Sequence, residues 1–296
     1  TAYNKKEGKQ FTDGDQRLLA IIAAQSAQVI ENARLNEREK QLLKMQEELR
    51  LAAKIQVELL PKSVPVVKGY DIAGKTIPAQ SVGGDYFDFI IIDEHRLAVC
   101  LGDVSGKGLP ASLLMSNVQA TLRSHALMGL TAQECTVRSN RLLFQSTSAE
   151  KFVTLFYGIL DVRNHTLLYA NSGHEHPILF SSEGALLRLS TGGIMLGMLE
   201  YFPFQDDCVT LKSGDIMVVF SDGVTEAMNS DQVQFGETRL QEVILAHREE
   251  SASTLIDSIV DAVKSHAGAA HQMDDITLMV VKRQCGEEGR DSADIS

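Results

Sequence analysis

Four segments of the chain set an aspartate beside a glycine or at the edge of an apolar run. They are Gly83-Gly84-Asp85, Gly102-Asp103-Val104-Ser105-Gly106, Ser221-Asp222-Gly223 and Met273-Asp274-Asp275. One aspartate in such a turn is ordinary, because its side chain bonds the local backbone. Four at the ends of apolar, strand-like runs are harder to dismiss, since each carboxylate would stand at the rim of a sheet on a backbone fixed by buried neighbours. If they converge, their mutual repulsion calls for cations. An all-oxygen donor set with no His or Cys nearby in sequence suits Mg²⁺ or Mn²⁺ rather than zinc. Two such ions about 3.5–4 Å apart would activate a water and neutralise a phosphoryl group. On the residues alone two readings stand side by side: a metal site, and four unconnected turns.

The stretch GDVSGKG at Gly102–Gly108 invites a nucleotide-binding reading. A phosphate-cradling loop needs four residues between its first glycine and the Gly-Lys pair, then Ser or Thr. Here three intervene and Gly108 follows Lys107, so the match fails twice. Lys107 and the glycines instead shape a turn that presents Asp103 and feeds the next helix.

The elements that must position these acids can be read from periodicity. Asp13 to Leu60 contains no proline and one glycine, Gly14, and is rich in strong helix formers. Asp13 or Asp15 is placed to cap this helix and Pro61 to end it. Its apolar phase shifts: Leu19, Ile22, Ser26, Val29 and Ala33 follow a three-four spacing. Leu35, Leu42 and Leu49 then recur every seventh residue, with Met45, Ala52 and Leu59 beside them and Arg38 and Gln56 interrupting. So narrow a stripe predicts a helix pairing with a second copy of itself; the plainer alternative is a helix lying on its own domain.

Beyond Pro65, β-rich runs predict strands at Tyr70–Ile77, Tyr86–Ile92, Arg96–Leu101, Phe152–Val162, Thr166–Ala170, Ile178–Phe180, Asp215–Phe220 and Ile276–Lys282. Helices are expected at Pro110–Leu127, Thr131–Ser146, Gly236–His247 and Ser253–His266. The tight Arg163-Asn164-His165 connection requires antiparallel neighbours. Helices come in two clusters rather than after every strand, which favours antiparallel sheets with helices outside them over a doubly wound parallel sheet.

Composition narrows the partners. The 296 residues carry 28 Lys and Arg against 39 Asp and Glu, a net charge of −11, with 44% hydrophobic residues. Such acidity argues against nucleic acid or an anionic membrane as partner, and the apolar content is that of a globular chain. Four dispersed cysteines suggest neither a disulfide scaffold nor a zinc ribbon. No apolar run approaches a membrane span and no leader pattern is present, so a reducing cytoplasm is the expected setting. The polar opening reads as the middle of a longer protein, and the tail 284–296 as disordered.

Taken together, GGDYFDF at Gly83–Phe89, GDVSGKGLPASLLM at Gly102–Met115, FSDGVTEAMN at Phe220–Asn229 and DDITLMVV at Asp274–Val281 resemble the PPM family of metal-dependent serine/threonine phosphatases. The similarity runs from about Tyr70 to Lys282, with the motifs in family order, and is closest to the bacterial SpoIIE- and RsbU-like branch. It implies an α+β fold: two antiparallel sheets packed as a sandwich, helices on both outer faces, and a binuclear Mn²⁺/Mg²⁺ site between the sheets. Carried over motif by motif, Asp85, Asp103, the Val104 carbonyl, Asp222 and Asp274 would be the metal ligands, with Asp275 the alternative to Asp274. The eukaryotic branch has an arginine before the first acid and a histidine after the second. This chain has neither in Ala79–Val82 or Val104-Ser105, so phosphate neutralisation falls mainly on the metals. His174, in Asn171-Ser172-Gly173-His174, resembles a recurrent family loop and is either catalytic or structural.

Asn4–Leu35 resembles the closing edge and last helix of a GAF sensor domain. The implied organisation is a GAF fragment at 1–35, a coiled-coil linker at 36–63, the phosphatase domain at 64–283 and a tail. The implied substrate is a phosphorylated anti-sigma-factor antagonist, with activity regulated through the dimeric helix. An alternative is a catalytically idle dimeric interaction module.

Overall fold

The computed structural model describes residues 10–148 and 150–284. The chain divides between Leu51 and Ala52 into two compact units. The first is helical. Helix α1 spans Asp13–Leu59, and none of its residues before Ala52 is buried. Its cap is Thr12 rather than either expected aspartate: the Thr12 hydroxyl accepts from Asp15 N–H at 3.4 Å while the Asp15 carboxylate accepts from Thr12 N–H at 2.8 Å. Leu19, Ile22, Val29, Leu35, Leu42 and Met45 of the apolar stripe stand exposed, while Leu49, Ala52 and Leu59 are half-buried. The GAF resemblance at Asn4 to Lys9 and the expected tail from Cys285 onward lie outside the described residues.

In the second unit the order is β1 Tyr70–Ile77, β2 Tyr86–Ile91, β3 Arg96–Val104, α2 Leu109–Ala126, α3 Ala132–Ser146, β4 Val153–Asp161, β5 Thr166–Ser172 and β6 Ile178–Phe180. There follow β7 Leu186–Arg188, β8 Gly192–Gly193, β9 Asp207–Thr210, β10 Ile216–Phe220, α4 Asp222–Thr225, α5 Gly236–Ala246, α6 Ala252–Ala267 and β11 Ile276–Arg283. One sheet runs β1-β11-β10-β6-β7, the other β2-β3-β4-β5-β8 with β9 also on β5. Every pairing is antiparallel except the two-residue β5–β8 contact.

Strand alternation shows how the layers stack, because successive side chains leave opposite faces. In β3, Leu97, Val99 and Leu101 join Phe156, Met217, Met279 and Val281 in a core between the sheets. The intervening Ala98 and Cys100 face the other way, against Met115, Val118 and Leu122 of α2 and Cys135 of α3. In β11, Ile276, Leu278 and Val280 meet Leu240 and Ile244 of α5 and Leu255, Ile259 and Val263 of α6. The result is helix, sheet, sheet, helix, the α+β sandwich expected from the sequence. Each large apolar side chain so buried contributes about 1.5–3 kcal/mol relative to exposure.

The helices carry their own start signals. Thr131 and Glu134 form a reciprocal capping box at the start of α3, and the Ser251 hydroxyl accepts from Thr254 N–H at α6. Helix α2 starts at Leu109, with Pro110 in its first turn and Gly108 before it at φ 70°, a left-handed conformation open to glycine. It is pinned to β2 by Asp88, which has no exposed surface. That carboxylate accepts from Arg123 at 2.6 and 3.1 Å, from the Tyr86 hydroxyl at 2.6 Å and from Phe89 N–H at 2.9 Å. No described helix is long and apolar enough to cross a membrane, and the described cysteines, Cys100, Cys135 and Cys208, are free.

Candidate active site

The four acidic segments reach one end of the sandwich. Asp85 immediately precedes β2, Asp103 is the penultimate residue of β3, Asp222 opens α4 just after β10, and Asp274 and Asp275 lead into β11. A narrow cleft there is lined by Gln80, Gly83, Gly84, Asp103, Lys107 and Asp274 among others.

The acids sense one another. Burial, with Asp103 beside it, pushes the Asp85 carboxyl well above the usual carboxylate range; the Thr277 and Ser221 hydroxyls work the other way. Burial first, then Asp222, Asp274 and Asp275, pushes Asp103 up to about 7, against a hydrogen bond with Asp85. Asp222 is pushed up to about 6 by burial and by Asp274 and Glu226. Asp85 Oδ2 is enclosed and has no hydrogen-bond partner. An orphaned buried carboxylate oxygen beside further acids is what a hard cation satisfies.

The donor chemistry therefore fits Mg²⁺ or Mn²⁺. As the side chains stand, no group of three His, Cys, Asp or Glu is arranged to hold an ion among the described residues. Asp274 Oδ2 receives the Lys107 ammonium at 2.7 Å, which also donates to the Met273 carbonyl at 2.5 Å.

Asp274 and Asp275 do different work. Asp275 Oδ1 accepts from Ala79 N–H at 2.8 Å, and its Oδ2 accepts from Gly84 N–H at 2.8 Å and from Asp85 N–H at 3.4 Å. It holds the first acidic loop by its backbone, and a Cβ on Gly83 would lie 2.2 Å from that same oxygen. Asp274 accepts only from Asp275 N–H on its other oxygen, at 3.0 Å, and its side chain is 41% exposed. The Val104 carbonyl stands beside the same loop, 2.9 Å from where a Cβ on Gly84 would sit.

His174 lies away from solvent. Its Nδ1 pairs with the Thr154 hydroxyl at 2.8 Å, its backbone N–H donates to Asn171 Oδ1 at 2.8 Å, and Nε2 has no partner. Burial lowers it to about 4, so the ring is neutral. Thr154 is the register partner of Asp103, so the histidine is bonded to a side chain on the same face of the sheet as Asp103. Two residues escaped the reading of the sequence. Lys107 was assigned only to turn shape, and Gln56, which exchanges hydrogen bonds with Gly83, stood as an interruption in an apolar stripe.

Two sheets between helices, with acids gathered at one rim, define a PP2C-type serine/threonine phosphatase domain. The family model for stage II sporulation protein E matches residues 93–284, and the chain belongs to that family. It is 31% identical over 239 residues to the phosphoserine phosphatase RsbU of Bacillus subtilis, covering 80% of this chain and 70% of RsbU. The crystal structure of the RsbU and RsbW domains of Rv1364c from Mycobacterium tuberculosis superposes with a TM-score of 0.64 at 27% identity, over 77% of this chain and 64% of that one. The PP2C domain and regulatory fragment of SpoIIE from Bacillus subtilis shares the fold, with a TM-score of 0.64 at 16% identity over 76% and 66%. The chain is a protein serine/threonine phosphatase.

Proposed function

We propose that the chain hydrolyses phosphoserine or phosphothreonine on a partner protein with two Mn²⁺ or Mg²⁺ ions held by Asp85, Asp103, Asp222, Asp274 and the Val104 carbonyl. The carrying observation is the buried, unpartnered Asp85 Oδ2 beside an Asp103 whose carboxyl is raised by burial and then by the neighbouring acids. Bound ions would supply an activated water for in-line attack and neutralise the phosphoryl charge. The chain's own part is to fix those acids at strand ends, with Asp275 clamping the loop that presents Asp85. The bonds of Asp275 to backbone amides favour Asp274 as the ligand of that pair. Lys107, the cation at the cleft, is placed to meet substrate phosphate once it leaves Asp274.

The test is phosphate release from a phosphoserine peptide in Mn²⁺ and in EDTA. Release that depends on Mn²⁺ supports the reading, and release untouched by EDTA rejects it. By the likeness to RsbU, the partner would be a phosphorylated anti-sigma-factor antagonist in a bacterial cytoplasm. The exposed stripe of α1 supports a homodimer through that helix, continuous with a GAF domain before it, through which activity is regulated. Replacing Leu42 and Leu49 by glutamate should yield a monomer in sedimentation; an unchanged mass would dismiss the helical dimer.

A further inference from the structure

Gln56 is the one buried residue of α1, and it lies in the second unit, in the helix's last turns. Its carboxamide acts both ways on a single residue, bonding the N–H and the C=O of Gly83. Nε2–H donates to the Gly83 carbonyl at 2.7 Å, and Oε1 accepts from Gly83 N–H at 3.0 Å, both bonds buried. A primary amide facing a backbone residue in this manner supplies what a neighbouring strand would supply, and leaves neither backbone group unpaired.

The position of that residue matters. From Gly84 onward the loop is held by Asp275, so the segment carrying Asp85 hangs between two side chains, one from α1 and one from the approach to β11. Packing does not duplicate the Gln56 grip: a cavity of about 280 Å³ lies alongside, lined by Gln56, Val57, Leu60, Thr76, Asp85 and Phe87 among others. A loop released on that side has open space to move into. The same end of α1 is tied separately to α2, where Gln119 Nε2–H donates to the Leu59 carbonyl at 3.3 Å. That second carboxamide holds the helix end without touching the loop.

We propose that Gln56 is a positioning residue: its two-way bond to Gly83 fixes the place of Asp85, and with it the affinity of the site for divalent cations. The proposal rests on the metal-dependent reading above. Residues that orient metal ligands from behind change metal affinity without touching substrate, and that signature separates this role from general support of the fold.

Gln56→Met keeps the length and stem and removes both hydrogen bonds; Gln119→Met removes the tie to Leu59 alone. In calorimetric titration with Mn²⁺, Gln56→Met should bind at least about tenfold more weakly, the range found when an outer partner of a metal ligand is lost. Its KM for a phosphoserine peptide should stay within about twofold, and amide hydrogen exchange at 83–86 in metal-free protein should rise at least about tenfold. Gln119→Met should leave Mn²⁺ affinity within about twofold. Gln56→Glu retains the acceptor but sets a charge against the Gly83 carbonyl, and serves if the methionine variant does not fold; it should also weaken Mn²⁺ binding. Unchanged affinity and exchange in the folded Gln56 variant overturns the proposal, as does an equal loss in Gln119→Met. Should the native chain bind no Mn²⁺, the metal reading falls, while amide exchange still decides whether Gln56 holds the loop.

Discussion

The two sides of the cleft are built differently. Asp85 and Asp275 are 4% and 7% exposed, and Asp275 holds the backbone amides of Ala79, Gly84 and Asp85. Asp274 faces outward with its carboxylate on a lysine, and Asp222 sits on a one-turn helix with its carboxyl only partly enclosed. The closed side has its geometry set by folding, because moving it would strand buried polar groups. The open side is held by a surface ion pair of the kind worth about 0–1 kcal/mol, so it can rearrange when a cation or phosphate arrives. Damage to the closed side should therefore appear in stability as well as activity, and damage to the open side in activity alone.

The largest expected effect comes from the shared centre. Asp103→Ala or Asp222→Ala should lower Mn²⁺-dependent phosphate release by at least about a thousandfold while leaving the circular dichroism spectrum intact, since each removes a group on which the ions depend. Next is the contrast itself. Asp275→Ala strands the amides of Ala79 and Gly84 and should destabilise the domain by about 2–4 kcal/mol in urea unfolding, whereas Asp274→Ala should abolish turnover with unfolding shifted by less than about 1 kcal/mol. Equal destabilisation by the two would erase the distinction.

A smaller effect concerns pH. Asp103, raised to about 7, and Asp222, raised to about 6, hold protons in the folded chain that the unfolded chain has released. Between their unfolded and folded values the native state binds more protons, so stability falls as pH rises through that window and levels off above it. In EDTA the melting temperature should drop between about pH 4 and 7 and level off by about pH 8, where Mn²⁺ should restore it. Asp103→Asn should raise the pH 8 value in EDTA by about 2–4 °C, the shift that about 1 kcal/mol gives in a domain of this size. The smallest change is expected from Lys107→Ala, whose half-exposed ion pair should alter unfolding by under about 1 kcal/mol, with any loss confined to KM for the phosphopeptide.

Much of the sandwich was legible in the sequence because strands such as Ile178–Phe180 and Ile216–Phe220 are buried along their whole length. Tyr70–Ile77 and Ile178–Phe180 have the ends expected of them, and β11 runs only one residue further, since dense β-branched and aromatic residues leave no competing reading. The strands that escaped, Leu186–Arg188, Gly192–Gly193 and Asp207–Thr210, are short and largely exposed. They exist through the neighbours they pair with, a tertiary effect that local propensity does not carry. The acids were visible for the converse reason: an aspartate at the end of an apolar run is conspicuous. Which member of Asp274-Asp275 faces the cleft depends on amides near residue 80, about two hundred positions away. The ion pair of Lys107 with Asp274 likewise joins distant segments. Gln56 was hidden by its context, since a polar residue in a helical seam reads as a defect until its partner is known.

The most direct test of the central claim is the stoichiometry of Mn²⁺ binding by calorimetry on the native chain and on Asp103→Asn. The account predicts two ions per native chain, weakened or lost together with phosphoserine hydrolysis in the variant. No bound Mn²⁺ in an active native chain, or the same binding and turnover in Asp103→Asn, would contradict it.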